Sequence, residues 1–218
     1  MLIREVMKSG IIEMEDKYMI RKEIKQQAKD VLKGGKWIML FVVLLIVGAV
    51  SSLTGGLLAP LGMYALFLIV REMLEGKEMD FNHLATPFKD LNHAIKVIVV
   101  GLLTGLIVSI GMMWFLIPGI IFMCMYVQAV RIMVEKPELS IMEALKESKE
   151  MMSGYKMDYF VFMLSFIGHY LLTAITFGIW GLYFGPLFVV ADTNYYLHLK
   201  KIRTEAAAVK EVKAEVVE

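Results

Sequence analysis

Three long stretches of the chain carry no charged residue, and charged segments separate them. The stretches are residues 37–70, 97–130 and 159–191. A turn containing Gly or Pro divides each stretch into two apolar halves, which predicts a pair of antiparallel helices. All 23 Lys and Arg residues lie outside the stretches. Because Lys and Arg beside membrane spans mark the cytoplasmic side, we predict a multi-pass protein of the cell membrane with both termini in the cytoplasm.

Charged positions recur every 60 residues along the chain. The recurring sets are Lys29, Lys89 and Lys149; Lys36, Lys96 and Lys156; and Arg71 and Arg131. Agreement of several charged positions in one register indicates an internal repeat. We therefore predict an all-α membrane helix bundle in which six transmembrane helices form three repeated αα-hairpins. The repeats cover about 20–76, 79–136 and 139–202.

A short amphipathic segment precedes each hairpin. Its apolar residues follow helical spacing and are Ile20, Ile24, Ala28, Val31 and Leu32 in the first repeat, Phe81, Leu84, Phe88 and Leu91 in the second, and Ile141, Leu145, Met151 and Met152 in the third. Ser140 with Glu143 three residues later predicts a capping box at the start of the third segment. We expect these helices at the cytoplasmic surface, with their apolar side in the lipid boundary. Lysines such as Lys25 and Lys29 would favour anionic lipids there.

The length of the uncharged stretches leaves two arrangements open. The predicted spans are 37–54, 57–74, 95–115, 117–135, 157–177 and 180–199. A full crossing takes about 20 residues, so stretches of about 34 residues are short for two crossings and a turn. Re-entrant hairpins that dip in from the cytoplasmic side are the alternative. We favour full spans because tryptophans fall at both predicted surfaces: Trp37 beside the cytoplasm, and Trp114 and Trp180 beside the outer turns.

The remaining composition narrows the class of protein further. Residues 1–19 form a charged N-terminal extension, and 203–218 form a charged cytoplasmic tail with little to pack against. The chain is 58% apolar with a mean hydropathy of +0.63, above the 45–50% apolar content that is usual for soluble domains. Basic residues are interleaved with acidic ones, so we expect no nucleic-acid partner. No phosphate-binding loop, nucleophile elbow or zinc-binding helix motif is present, so we predict no enzyme, no cofactor and no metal.

Small residues recur at every fourth position in two of the predicted spans. They are Gly101, Gly105 and Ser109 in the third span, and Gly181 and Gly185 near the last turn. Small residues at this spacing let helices approach closely. We favour packing within the bundle, with a dimer interface as the alternative.

Four of the polar residues within the predicted spans are candidates for a functional site, namely Gln128, His169, Asp192 and Asn194. An ionisable side chain in a span is expensive and suggests function, so Asp192 and His169 are candidates for a proton- or ligand-handling site. The structural interpretation, which we favour, places Asp192 in a hydrated cytoplasmic vestibule, bonded to Asn194 or to tyrosines. His169 would then satisfy a backbone carbonyl.

Sequence elements from Pro118 to Lys200 resemble those of an uncharacterised prokaryotic membrane-protein family, domain of unknown function 975. The matching elements are residues 117–120 (IPGI), 137–140 (PELS), 143–145 (EAL), Ser148, 152–154, 164–168, 176–178 and Pro186. The resemblance extends more weakly to residues 21–53. It implies an all-helical integral membrane protein without an established activity. The family pattern has a bulky aromatic residue where this chain has His169, which implies a structural role for this histidine.

Two classes of function fit these observations best. The first is a non-enzymatic scaffold or accessory protein whose surface helices contact membrane lipids and a protein partner or a second copy of the chain. The second is a transporter or channel-like protein for a small or lipidic solute, because repeated hairpins and a charged residue within a span occur in transporters. A membrane enzyme has the least support, since no nucleophile with an adjacent base is visible.

Overall fold

Helices are the regular secondary structure of the described part of the chain, which confirms the all-α class. A computed structural model describes the backbone of residues 19–217 and the side chains of residues 19–206 and 208. Helix makes up about four-fifths of the described residues, and no strand occurs among them. The predicted N-terminal extension, apart from Met19, lies outside the described residues.

Ten α-helices and two short 3-10 helices follow one another along the described residues. The α-helices are α1 (19–31), α2 (Lys36–Leu53), α3 (Ala59–Leu74), α4 (Leu91–Trp114), α5 (Leu116–Tyr126), α6 (Ala129–Glu135), α7 (Ile141–Met151), α8 (Lys156–Leu164), α9 (Ile167–Ile175) and α10 (Ile179–Val217). The 3-10 helices are Phe81–Leu84 and Thr86–Phe88. Among the α-helices there are three pairs, which are α2 with α3, α4 with α5–α6, and α8–α9 with α10. The second member of each pair is here called the return helix.

Local sequence signals explain where several helices begin. Ser140 and Glu143 form the predicted capping box, in which each residue satisfies a backbone N–H of the other. Gly35 and Gly154, with φ of 86° and 79°, occupy the left-handed conformation that glycine adopts at low cost. They turn the chain from α1 into α2 and from α7 into α8.

The second amphipathic segment is not the predicted α-helix. Residues 81–88 form two 3-10 helices joined at Ala85. Pro87 has no backbone N–H with which to bond the carbonyl four residues earlier, and its ring crowds that carbonyl, so a continuous α-helix through this short segment is disfavoured. Phe81 and Phe88 remain about half exposed, which leaves their rings outside the bundle core.

Four helical segments are long and apolar enough to cross a membrane. They are Lys36–Leu53, Leu91–Trp114, Leu116–Glu135 and Lys156–Ile175. α3 has only 16 residues, about 24 Å at the helical rise, against a hydrocarbon core of about 30 Å. The first half of α10 carries Asp192, Thr193 and Asn194, which lower its hydropathy. Six complete spans therefore stay a prediction.

Burial separates the helices into a central and a peripheral group. α3, α6 and the middle of α10 supply most of the buried residues, whereas α2, α4 and α8–α9 bury fewer than a fifth of the residues in their most apolar stretches. The peripheral helices expose large apolar side chains such as Leu45, Leu106 and Leu171. Exposed apolar surface of this extent is expected where helices face lipid.

Each peripheral helix packs between two return helices. α2 contacts α3 and α10, α4 contacts α6 and α3, and α8–α9 contacts α10 and α5. Each therefore touches its own return helix and that of another hairpin. Two of the amphipathic segments also pack on return helices: the 3-10 segment packs on α3, and α7 packs on α5 and α6. α1 packs on the third hairpin through side chains described below.

The prediction that Trp37 and Trp180 mark opposite membrane surfaces is wrong. The Trp37 indole donates to the Tyr183 carbonyl oxygen at 3.3 Å, and the two rings lie 5.8 Å apart. The Tyr183 ring lies 5.4 Å from that of Trp180. Two such steps are far shorter than the hydrocarbon core of about 30 Å. The start of α2 therefore lies beside the start of α10, because α1 runs along the third hairpin instead of lying apart from it.

Candidate functional site: buried polar residues among α6, α8 and α10

Asp192 is the centre of a buried polar cluster between three helices. Its side chain projects from α10, where Asp192 is 8% exposed. Tyr159 of α8 donates its hydroxyl to Oδ1 at 2.8 Å, and Arg131 of α6 donates to Oδ2. Both carboxylate oxygens thus have charged or hydroxyl partners, as a buried carboxylate requires.

Arg131 connects Asp192 to a second polar residue in the core. Its Nη1 donates to Gln128 Oε1 at 2.7 Å, one helical turn earlier, while its Nη2 donates to Asp192 Oδ2. The guanidinium also lies 5.9 Å from the centre of the Tyr196 ring. Gln128 is fully buried, and its Nε2 has no partner among the described residues. The cluster therefore holds one ion pair and one unsatisfied amide donor.

Glu135 organises a second polar layer, one helical turn beyond Arg131. Its Oε2 accepts from the Tyr196 hydroxyl at 2.7 Å and from Lys200 Nζ at 2.5 Å. Arg71 of α3 approaches Oε1 at 3.7 Å. Arg71 and Arg131, which stand 60 residues apart in the sequence, thus lie in neighbouring layers of one polar core.

A third group of polar contacts attaches α1 to the third hairpin. Arg21 pairs with Asp158 of α8, whose other oxygen accepts from the Tyr195 hydroxyl at 2.7 Å. Lys25 Nζ donates at 3.0 Å to the Ser165 carbonyl oxygen, at the break between α8 and α9, and lies 4.3 Å from the centre of the Phe166 ring. Burial lowers the pKa of the Lys25 ammonium below its usual value, and the positive charges of Lys29 and Arg21 add to this effect.

Asn194 belongs to the same attachment of α1. Its Nδ2 donates to Gln27 Oε1 at 2.8 Å and to the Ile24 carbonyl oxygen at 3.4 Å. The structure thus places Asn194 against α1, while Asp192, two residues earlier, faces α6 and α8.

His169 lies in an aromatic group away from this cluster. Its ring stacks on Phe184 with centroids 5.0 Å apart, and its Nδ1 accepts from the Trp180 indole at 3.1 Å. Asp192 instead bonds to Arg131 and Tyr159. The structure therefore does not bring His169 and Asp192 together as one polar site.

A small cavity reaches the Arg131–Asp192 pair. It has a volume of about 160 Å³ and lies between α3, α6 and α10. Its walls are mainly apolar and include Met63, Phe67 and Phe188. A cavity of this size with two charged groups on one wall is large enough for water, which occupies about 30 Å³ per molecule.

The small residues of α4 have different surroundings. A Cβ atom at Gly101 would lie 2.4 Å from Pro60 Cγ of α3, so Gly101 allows α4 and α3 to pack closely. A Cβ atom at Gly105 would meet nothing within 4 Å. Gly105 and Ser109 instead line a groove of about 480 Å³ between α3, α4 and α5.

The small residues of α10 pack within the protein. A Cβ atom at Gly181 would lie 3.0 Å from Thr173 Cγ2, and one at Gly185 would lie 3.6 Å from Leu44 Cδ1. Gly181 therefore permits a close approach of α9 and α10, whereas Gly185 has ordinary contact distances to α2.

Sequence reasoning missed the residues that complete the Asp192 cluster. Arg131 looks like a residue at the membrane boundary because it directly follows an uncharged stretch, and Tyr159 looks like an ordinary apolar position. The spacing of Gln128 and Arg131, three residues apart, was the available signal, because residues three apart share a helix face. Within the part of the chain that the structure describes, no group of three His, Cys, Asp or Glu residues is placed to hold a metal ion.

Comparisons with known proteins give a family but no activity. No curated protein and no solved structure matches the chain. A family model described as "Protein of unknown function (DUF975)" matches residues 92–203, which include Arg131, Tyr159, His169 and Asp192. The weaker resemblance at residues 21–53 lies outside that match. The match covers slightly more than half of the 218 residues, and the chain therefore belongs to the DUF975 family.

Proposed function

We propose that this protein is a non-enzymatic, multi-pass protein of the cell membrane that acts as a scaffold or accessory component. The observation that carries this proposal is the bonding of Asp192. Both of its carboxylate oxygens are engaged by side chains of the same chain, Arg131 and Tyr159. A charge satisfied in this way joins α6, α8 and α10 and leaves no free carboxylate oxygen for a ligand.

Insertion of the second and third hairpins from the cytoplasmic side is part of this proposal. Its support is the order of contacts, since each peripheral helix lies between its own return helix and that of another hairpin. The second hairpin, α4 with α5–α6, supplies two of the four segments that are long enough to cross. The exposed face of α1 carries Lys22, Glu23 and Lys29, which require water or headgroups and favour cytoplasmic termini.

The surface best suited to a protein partner is the outer face of α7. The capping box fixes the start of this helix, and Ala144, Leu145 and Ser148 attach its inner face to the bundle. Lys146, Lys149 and Glu150 point outward and are exposed. A fixed helix that presents charges of both signs can recognise a complementary protein surface.

The native mass of the protein tests the scaffold role. We expect the wild-type protein, released from its own membrane in mild detergent, to migrate as a complex heavier than the monomer. The double variant Lys146→Glu/Lys149→Glu should shift the protein to monomer. Lys201→Glu, an exposed charge reversal on α10, is the matched control and should leave the complex intact. A wild-type monomer, or equal effects of both changes, would contradict the scaffold role.

The second candidate is a transporter or channel-like protein for a small or lipidic solute, using Asp192; His169, the other residue predicted for such a site, lies apart from it in the aromatic group. The cavity of about 160 Å³ beside Arg131 and Asp192 favours it, because a hydrated charged pair within a bundle is a common transport element. Proton flux into proteoliposomes, followed with an enclosed pH-sensitive dye, decides this point. Flux that disappears with Asp192→Asn and persists with Asp158→Asn would replace the scaffold role. Wild-type vesicles that are as tight as empty ones would reject transport of protons.

A further inference from the structure

An apolar cleft lies where the third hairpin meets the second. Its walls come from α5 and α8, and its volume is about 260 Å³. The residues that line this α5–α8 cleft are Ile117, Ile120, Ile121, Cys124, Lys156, Met157 and Phe160. Lys156 is the one charged residue among them. The cleft thus combines an apolar interior with a single positive charge.

Lys156 has no counter-charge among the residues that the structure describes. It is partly buried as the first residue of α8, and it makes no ion pair or hydrogen bond with the described residues. The lysine 60 residues earlier, Lys96, is satisfied differently: its Nζ donates to the carbonyl oxygens of Pro137 at 2.8 Å and Leu139 at 3.1 Å. An ammonium group against apolar walls is costly unless an anion approaches it.

The residues that line the cleft suit an acyl chain with an anionic head. Lys156 lies near Cys124, on which its charge acts, and the cleft continues along α5 to Ile117. This part of α5 is about 10 Å long at the helical rise. α8 and α5 also belong to segments apolar enough to cross a membrane, so we expect lipid beside this cleft. A chain with an anionic head at the Lys156 end would therefore satisfy both the charge and the apolar walls.

We propose that the α5–α8 cleft binds one anionic phospholipid, with the headgroup phosphate on Lys156 and an acyl chain along Ile117, Ile121 and Phe160. This inference rests on the membrane location in the proposed function and is independent of the scaffold role. The bound lipid fills the seam between the second and third hairpins, and so becomes part of the bundle surface at that seam.

Lipid titration followed by native mass spectrometry tests the site. Delipidated full-length protein in detergent is titrated with phosphatidylglycerol, which is anionic, and separately with phosphatidylcholine, which is zwitterionic. We expect the first phosphatidylglycerol to bind more tightly than phosphatidylcholine. Lys156→Met should weaken it about fivefold, the effect of one lysine near a membrane surface. Lys156→Arg should retain the affinity, and Lys149→Met, an exposed lysine outside the cleft, should leave it unchanged.

Filling the cleft provides an independent variant. Ile121→Trp places a larger ring in the opening at a position that is already 44% exposed, so the fold should tolerate it. We expect weaker binding of both lipids. Ile110→Trp, at an exposed position on α4 outside the cleft, is the matched control. The proposal is overturned if Lys156→Met binds phosphatidylglycerol like the wild type, if Lys149→Met weakens it equally, or if the two tryptophan variants behave alike. The mass of any protein complex, which tests the scaffold role, is a separate measurement.

Discussion

Arg131 of α6 and Asp192 of α10 form an ion pair in the protein core, although 61 residues separate them in the sequence. Both are more than nine-tenths buried. The pair joins the second hairpin to the third, and Tyr159 extends the connection to α8. Any change that removes one charge leaves the other without its partner in the interior.

Asp192→Ala should lower the free energy of unfolding by about 3–5 kcal/mol, because it leaves the Arg131 guanidinium buried and unpaired. The double variant Arg131→Met/Asp192→Leu should recover most of this loss, since apolar residues of similar volume often replace a buried ion pair without cost. Unfolding in detergent micelles titrated with sodium dodecyl sulfate measures both. A double variant as unstable as Asp192→Ala would indicate a role for the charges beyond joining the helices.

Gly101→Ala and Gly105→Ala form a matched pair on α4. The new methyl group at position 101 would overlap Pro60, so we expect a loss of about 1–3 kcal/mol in the free energy of unfolding. The methyl group at position 105 meets open space, so this variant should be as stable as the wild type or gain up to about 1 kcal/mol from helix propensity. The same micelle titration compares them. A change of oligomeric state with Gly105→Ala alone would instead show that the groove is a helix–helix interface.

The capping box of α7 should be sensitive to acid. Hydrogen bonds from the Ser140 side chain and backbone hold the pKa of the Glu143 carboxyl below its usual value of 4.5. Since the folded-state pKa is lowered, the contribution of Glu143 to stability is complete above pH 4.5 and is lost as the pH falls through the folded-state pKa. Carbon-13 NMR of the Glu143 carboxyl should show titration below 4.5. Ser140→Ala should raise that midpoint, whereas Ser153→Ala, beyond the other end of α7, should leave it unchanged.

Labels at positions 37 and 180 should report the same membrane depth. Trp37→Cys and Trp180→Cys are each made in a Cys124→Ser background, which removes the single native cysteine, and are labelled with a nitroxide. Because both side chains neighbour Tyr183, oxygen and nickel-chelate accessibilities should place both labels in one layer. Depths that differ by the thickness of the hydrocarbon core would contradict the packing of α2 against α10.

The sequence predicts individual helices better than it predicts which of them meet. The capping box at Ser140 and Glu143 is a local signal, and it appears where expected. The 3-10 helices at 81–88 were missed because apolar spacing was given more weight than Pro87. The capping box and the 3-10 helices both depend on signals within a few residues. The 3-10 helices were therefore predictable had Pro87 been given more weight.

The position of α1 depends on contacts that no local pattern contains. Its apolar face suits a membrane surface as well as a neighbouring helix, and spacing alone cannot distinguish the two. Arg21 pairs with Asp158, and Lys25 donates to the Ser165 carbonyl oxygen, across more than 130 residues of sequence. The candidate site also depends on contacts between distant residues. Asp192 was recognisable as an unusual residue in an apolar helix, but Arg131 was not recognisable as its partner.

The attachment of α1 also sets an order of assembly. Arg21 and Lys25 leave the ribosome early, whereas their partners Asp158 and Ser165 follow 137 and 140 residues later. During synthesis the first and second hairpins are therefore made while α1 is still without the surface that will cover its apolar face. The third hairpin supplies that surface, so α1 can dock completely only after Asp158, Ser165 and Asn194 have been made.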